Sequence, residues 1–448
     1  MDALQYTGYD ETTRRRVRLL LTAAVVATLL VGVWGCADTD NWTLNGSGIT
    51  EGPAADSLNT VDEESATGVT NIIVDATPSM RGYSRGSRYR NFVTQSLANA
   101  SIGGEEVRYH QLTTALPGGI QSVDEKMRAA QPAFYARGNT ELSTALDSLE
   151  QSGLTVLVTD LFQSSADMNA VSQAITRRAF DRGLAVGVIA SRFQFDGRVY
   201  DVGPAGRAFE FSGQRPLYGL VFGLPGVVSD YFENLREFVE PEKYHFLLFS
   251  SYVAEQPGRV QIRNSDPIRN LVRVKPEADT PLPSTQTLSL QIRDNNTSAR
   301  LGAQLDLDVL PDVQPLLSSK SLDAKVTKVW KRDTQSGSYV GQFKERSRVE
   351  GALDIRAVQN DSSRLRLQVR PEDLRRGFYA FNVTVNVREW EFPQWVSDWN
   401  LPPSEFQAET PDGSKTANLH SFLRNLGSDL TNTGRPRVAA LQVYVEKQ

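Results

Sequence analysis

The chain has 448 residues, with 48 Lys and Arg against 53 Asp and Glu and a formal net charge of −5. The length predicts two to four domains, and 40% apolar with 23% charged residues predicts that most of them fold. The acidic balance and the lack of a long basic run exclude nucleic acid as the main partner, and a single cysteine excludes an intramolecular disulfide.

At the N-terminus Arg14, Arg15, Arg16 and Arg18 precede an apolar run from Leu19 that ends at Cys36. A basic flank, an apolar core and small residues near its end form a secretory signal pattern, with the positive flank on the cytoplasmic side. The end of this segment resembles the lipobox of bacterial lipoproteins. Val33 and Gly35 match that pattern, while Trp34 stands where it usually has a small or modest aliphatic residue. The resemblance implies that Cys36 is lipidated and becomes the first residue of the mature protein. An apolar run of about 18 residues also meets the lower limit of a membrane span, so an uncleaved signal anchor is the alternative. Both readings give residues 1–36 to a signal or anchor and place the rest outside the cytoplasm, tethered at the cell envelope. Residues 37–66 are rich in Asp, Asn, Thr, Ser, Gly and Glu, and read as a flexible polar tether.

From residue 67 to 255 apolar runs alternate with helix-spaced segments. Ile72-Ile73-Val74 delivers Asp75, and Thr77 and Ser79 follow at alternate positions. This is the pattern of a buried parallel strand ending in a polar loop. Val107 to Leu112 is a second strand. Asn139-Thr140-Glu141-Leu142 opens a helix with Leu142, Ala145, Leu146 and Leu149 on one face, stopped at Gly153. Leu154 to Thr159 is another apolar strand and delivers Asp160. The next helix carries Met168, Val171, Ile175 and Ala179 and stops at Gly183. Leu184 to Ala190, Leu217 to Phe222 and Tyr244 to Phe249 complete the strands. Phe195-Asp196-Gly197-Arg198-Val199 carries a hairpin turn signal, and a helix is expected from Ser229 to Val239. Strands alternating with amphipathic helices predict an α/β fold, a doubly wound and mostly parallel sheet covered on both faces.

In such sheets, sites form where loops leave the carboxyl ends of strands. Asp75, Thr77 and Ser79 are oxygen donors of mixed charge, which suits a hard cation. Asp75-Ala76-Thr77-Pro78-Ser79 resembles the Asp-x-Ser-x-Ser signature of von Willebrand factor A-like domains. Gly138-Asn139-Thr140 resembles the loop that gives that family its second-site threonine, and Thr159-Asp160 resembles its third element. Thr77 stands where the family usually has Ser, and Leu161 follows Asp160 where Gly is common. The resemblance covers residues 67 to about 223 and implies a metal-ion-dependent adhesion site. Thr77, Ser79 and Thr140 are then hydroxyl ligands, and Asp75 and Asp160 act directly or through water. The ion is Mg²⁺, or Mn²⁺ or Ca²⁺ in its place, and a carboxylate from a partner protein completes its shell. The plainer alternative makes the first cluster a turn, Thr140 a helix cap and Asp160 a loop acid.

Gly82-Tyr83-Ser84-Arg85-Gly86 also matches Gly-x-Ser-x-Gly, with Asp160 and His245 following in the order of an α/β-hydrolase. A nucleophile elbow needs its serine at the strand end, however, and here the strand ends at Asp75. The favoured reading is therefore not an enzyme.

Residues 256–448 lose helix periodicity. Leu288, Leu290 and Ile292; Leu305, Leu307 and Val309; Leu365, Leu367 and Val369; Phe381, Val383, Val385 and Val387; and Leu441, Val443 and Val445 alternate as strands do. This predicts one or two β-sandwich domains with a break near 315. A helix from Ala417 to Leu426, stopped by Gly427, is expected inside the last one. Trp390, Trp395 and Trp399 read as packing residues before they read as a glycan platform.

The whole sequence therefore predicts a tethered binding or scaffolding protein at the cell envelope. Its rivals are a metal-free structural scaffold, a serine hydrolase and a glycan binder.

Overall fold

The computed structural model describes residues 68–101, 106–114, 120–123, 131–135, 138, 142, 146, 153–161, 165–200, 202, 207–251, 253, 259–262, 272–274, 287–292, 299–306, 310–317, 321–332, 334–335, 338–339, 344–345, 347–358, 361–406, 408–409, 411–434 and 436–447. All of them belong to one compact unit, Gly46–Gln448.

The first sheet has seven strands: β1 (Val69–Asp75), β2 (Glu106–Leu112), β3 (Ile120–Val123), β4 (Leu154–Thr159), β5 (Ala185–Val199), β6 (Phe209–Gly223) and β7 (Tyr244–Phe249). Their order across the sheet is β3-β2-β1-β4-β6-β5-β7. β1 is the third strand from one edge, parallel to β2 on one side and to the central β4 on the other. Its Ile72 and Val74 are wholly buried, and every residue of β4 is buried. Continuous apolar strands of this kind need cover on both faces.

Strand direction departs from the expected mostly parallel sheet, which is mixed. β3 runs antiparallel to β2, β6 to both β4 and β5, and β7 to β5. For β6 the cause is one long hairpin. β5 and β6 pair without a break from Ala185↔Gly223 to Val199↔Phe209, and a hairpin needs no crossover helix to return. The turn signal at Phe195–Val199 is correspondingly overruled, because those residues lie inside β5, paired to Gly213–Phe209. Their alternation of buried Phe195 and Val199 with outward residues is strand chemistry.

A helical stretch follows the β1 loop as α1 (Ser87–Asn91), a π-turn (Phe92–Ser96) and α2 (Leu97–Asn99). The helices α3 (Ser165–Arg178) and α4 (Pro225–Phe238) follow β4 and β6. α4 starts four residues before the expected Ser229, because Pro225 suits the first turn, where no backbone donor is needed. Gly183 closes the turn after α3 at φ +75°, a conformation glycine adopts without cost.

The remaining strands form two larger sheets and two short pairs. They are β8 (Arg259–Ile262), β9 (Val272–Val274), β10 (Thr287–Ile292), β11 (Ala299–Asp306), β12 (Leu322–Arg332), β13 (Thr334–Gln335), β14 (Ser338–Tyr339), β15 (Lys344–Glu345), β16 (Leu353–Val358), β17 (Asp361–Val369), β18 (Gly377–Val387), β19 (Asn400–Leu401), β20 (Thr416–Ala417) and β21 (Arg437–Lys447). One larger sheet runs β15-β12-β18-β21-β10-β9 and the other β16-β17-β11-β8. Both are antiparallel except for the pair β10–β21.

Two helices of the C-terminal part, α5 (Gln394–Trp399) and α6 (Leu419–Gly434), contact β7 and α3 respectively. The expected helix end at Gly427 is corrected, since α6 continues seven residues beyond it. Gly427 is there for contact. A Cβ on it would lie 2.5 Å from Trp390 Cδ1. Asp429 of α6 accepts hydrogen bonds from Ser172 (2.6 Å) and Thr176 (3.1 Å) of α3. Trp395 stacks on His245 of β7 at 4.8 Å and 3°, and Trp390 packs on Phe249. Trp390, Trp395 and Trp399 are 6%, 9% and 8% exposed, so all three are committed to this seam.

Candidate metal centre

The strand ends of β1 and β4 place the site. Val74 pairs with Val158, so Asp75 and Thr159 stand side by side at the carboxyl end of the parallel trio. Asp75 is fully buried, and a buried carboxylate is costly unless its oxygens are hydrogen-bonded. It has donors on both oxygens. Thr77 N (3.1 Å) and Thr77 Oγ1 (2.7 Å) donate to Oδ1, and Thr159 Oγ1 (3.0 Å) donates to Oδ2. Thr77 Oγ1 also lies 3.2 Å from Ser79 Oγ. Asp75, Thr77 and Ser79 therefore form one chained set of oxygens.

Thr77 occupies the capping position of the short 3₁₀ helix Pro78–Tyr83, yet its hydroxyl makes no cap bond. It turns back to Asp75 instead. The contact from Thr77 N to Asp75 is an Asx-type turn bond, so the turn reading describes the backbone here and leaves the hydroxyls to be explained.

Asp160 follows Thr159 and is 1% exposed. The next residue, Leu161, holds φ +52°, and its N–H donates to Thr159 Oγ1 at 3.2 Å. Left-handed backbone costs a residue with a Cβ about 1–2 kcal/mol. The loop keeps a glycine-like conformation even with leucine in it. Thr159 is the residue that sequence reasoning undervalued. Its signal was a hydroxyl at the very end of a mostly apolar, fully buried strand.

Thr140 lies outside the described residues, as does Cys36. The loop that carries Thr140 is described at Gly138, with φ +84°, and the following helix at Leu142 and Leu146, both buried. Just before it, Tyr135 is anchored by its hydroxyl to that of Tyr89, 2.6 Å away.

The electrostatic surroundings are anionic and dry. Burial pushes the phenols of Tyr83, Tyr89, Tyr135 and Tyr218 upward, and the charges of Asp75 or Asp160 push each of them further. Arg215, 3% exposed, opposes this at Tyr83 and Tyr218. Two carboxylates in a low-dielectric pocket with neighbouring hydroxyls fit a hard cation by donor type and by field. Among the described residues there is no group of three or more His, Cys, Asp and Glu that could hold a metal. The set here is two acids plus hydroxyls.

The hydrolase arrangement does not assemble. Ser84 is buried behind the 3₁₀ helix, and its hydroxyl donates to Arg81 O at 2.8 Å. The row Thr159↔Tyr218↔Ala190↔His245 spans three strand spacings, about 14 Å, which separates His245 from the Asp160 end of β4. His110 Nε2 donates to Asn71 Oδ1, 3.1 Å away, across β2 and β1.

Compared with protein-family models, curated proteins and solved structures, the chain matches none. Among the described residues no helix is long and apolar enough to cross a membrane.

Proposed function

We propose that this chain is a membrane-tethered extracytoplasmic protein whose first sheet is a von Willebrand factor A-like unit, and whose site binds a partner protein through a divalent cation. The supporting observation is the donor set at the ends of β1 and β4. The oxygens of Asp75, Thr77 and Ser79 are linked within 2.7 and 3.2 Å, and Asp160 follows the strand that contacts Asp75. Thr77, Ser79 and Thr140 are the hydroxyl ligands, with Asp75 and Asp160 holding the charge. Mg²⁺ suits this set best, with Mn²⁺ or Ca²⁺ as substitutes. When bound, a hard cation supplies positive charge and an exchangeable coordination position, which a carboxylate of the partner fills. Ser79, at 7% the most exposed of these four described residues, marks the side of approach.

The two C-terminal sheets act in this reading as a β-sandwich that carries the binding unit. The chain is tethered through Cys36 as a lipoprotein or through an uncleaved anchor, and it performs no catalysis.

A second reading, a metal-free scaffold, is favoured by one observation. Asp75 already receives three hydrogen bonds from protein groups, so its burial is met without an ion. Thermal unfolding of the full-length chain in detergent, in EDTA and in millimolar Mg²⁺, Mn²⁺ or Ca²⁺, separates the two. A cation that binds only the folded state stabilises it by about 2.7 kcal/mol at a hundredfold excess over its dissociation constant. The cation reading expects a rise in Tm that Asp75→Asn removes. An unchanged Tm in all three metals establishes the scaffold reading.

A further inference from the structure

The stretch that follows the Asp75–Ser79 loop is one-sided in charge. From Ala76 to Ser101 it carries four arginines, Arg81, Arg85, Arg88 and Arg90, and no Asp or Glu, within a sequence whose formal net charge is −5. Arg81 stands on the 3₁₀ helix Pro78–Tyr83, two residues beyond Ser79, where each residue advances the chain by about 2 Å. It is exposed, and its guanidinium has no hydrogen-bond or ion-pair partner among the described residues. Arg90 of α1 folds back over the loop after that helix. Its Nη1 donates to Ser84 O at 3.3 Å and to Arg85 O at 3.2 Å, and it pairs with no acid among the described residues. Arg85 pairs with Asp196 of β5, but the two side chains are 67% and 49% exposed, and ion pairs of that kind contribute little. Arg88 is committed elsewhere, to Arg192 O and Ser191 Oγ and to the rings of Phe193 and Tyr244.

The rim beside Ser79 therefore holds Arg81, Arg85 and Arg90 against one acid, Asp196. Asp75 and Asp160 are both buried. Without an ion their two negative charges oppose the approach of an anion. A divalent cation cancels them and leaves the arginines uncompensated. Three arginines beside one point of entry suit a short anionic segment better than an extended plane. In an extended segment, side chains at alternate positions are about 7 Å apart. One carboxylate at the ion then leaves the next within reach of an arginine two residues beyond Ser79.

We propose that the partner presents an acidic segment, in which one carboxylate completes the cation's shell and neighbouring Asp or Glu side chains pair with Arg81 and Arg90. The proposal rests on the cation reading of Asp75, Thr77, Ser79 and Asp160. Arg81 and Arg90 then set specificity, because they distinguish an acidic segment from an isolated carboxylate.

The test uses the full-length chain in detergent and two fluorescent peptides of Gly and Ser. One carries a single central Asp, and the other carries that Asp flanked by Glu at alternate positions. Association and dissociation are followed by stopped-flow anisotropy in Mg²⁺ and in EDTA, at low and high salt. The acidic peptide is expected to bind more tightly in Mg²⁺ than in EDTA, and more tightly than the single-Asp peptide. High salt should remove the second advantage. Charges at the rim of an interface act chiefly on the association rate, and an exposed ion pair is worth up to about fivefold. Arg81→Gln should therefore slow association of the acidic peptide about two- to fivefold, slow the single-Asp peptide less, and leave dissociation nearly unchanged. Arg81→Lys should restore most of the rate. Equal affinity of the two peptides for wild type, or an equal effect of Arg81→Gln on both, overturns the proposal. Binding more than tenfold tighter when phosphoserine replaces Glu also overturns it, in favour of a phosphorylated partner. The Mg²⁺-dependent rise in Tm, measured on the same samples without peptide, reports the cation reading separately. If that rise is absent, the cation reading fails and the proposal with it. If it is present and the peptides are not distinguished, only the acidic-segment proposal fails.

Discussion

Two buried carboxylates show how differently the two halves of the molecule handle charge. Asp75, at the end of β1, is satisfied by its own loop and by the adjacent strand, through Thr77 N, Thr77 Oγ1 and Thr159 Oγ1. Asp312, in the segment that joins the C-terminal sheets to β7, relies on a distant guanidinium. Arg236 of α4 pairs with its Oδ1, and its Oδ2 has no hydrogen-bond partner among the described residues. Burial pushes the Asp312 carboxyl above the usual carboxylate range, and Arg236 only partly opposes this. The first arrangement satisfies both oxygens of its carboxylate from neighbouring residues. The second fastens two regions at the expense of an unsatisfied oxygen.

Removing the two acids should therefore have unequal effects. Asp75→Ala removes the shared acceptor of three buried hydrogen bonds, and hydrogen bonds to charged groups contribute about 1.5–3 kcal/mol each. Even with strong non-additivity the expected loss is about 3 kcal/mol or more. Asp312→Asn keeps the shape, removes a charge that is poorly solvated, and weakens one pair whose arginine is partly exposed. The expected change is within about 1 kcal/mol. Urea unfolding of both variants in EDTA measures this directly. Equal losses would erase the distinction between a built site and a fastening.

A smaller contrast lies in the backbone. Leu161 at the site and Asn418 before α6 are the two non-glycine residues with positive φ among the described residues, at 52° and 58°. Asn tolerates this region well, and Leu does not. Relief of strain in Leu161→Gly is about 1–2 kcal/mol. The leucine is only 1% exposed, however, and truncating a buried leucine costs about 2–5 kcal/mol. Packing wins, and a net loss of about 1–3 kcal/mol is expected. Asn418→Gly should change stability by only a few tenths of a kcal/mol. A stabilised Leu161→Gly would mean that the leucine's contacts count for less than its strain.

What could be read from the sequence follows the same division. The β1 cluster is legible because its partners lie two residues apart, within reach of a single loop, and the apolar runs of β1 and β4 announce burial on both faces. The alternation of Phe381, Val383, Val385 and Val387 likewise gave β18 its strand. Hydrophobic pattern encodes which side chains leave water. It does not encode which strand lies alongside, or in which direction. The insertion of β6 between β4 and β5, the reach of Thr159 to Asp75 and the tryptophan seam all depend on pairings between residues distant in sequence, as far as the 257 residues between Ser172 and Asp429. Gly427 was misread for the same reason. A glycine near the end of a periodic run looks like a stop until the ring it touches is known.

The smallest expected effect tests that seam. His245 lies against Trp395 and edge-on to Trp399, with the Arg192 guanidinium over the far tryptophan at 5.0 Å. Burial lowers the His245 pKa below its ordinary 6.5. The unfolded chain therefore takes up a proton first as the pH falls. The histidine's contribution is constant above 6.5 and becomes destabilising as the pH drops from there through the lower folded value. Because the ring is only half-buried, water screens much of the penalty, and the effect should be smaller than either preceding contrast. Urea midpoints measured above and below 6.5, for wild type and His245→Gln, isolate it. The wild type should lose more stability on acidification than the variant. Equal slopes would show that the stacked imidazole accepts its proton without disturbing the tryptophans, so that the seam, unlike the Asp75 site, is electrostatically indifferent to its half-buried imidazole.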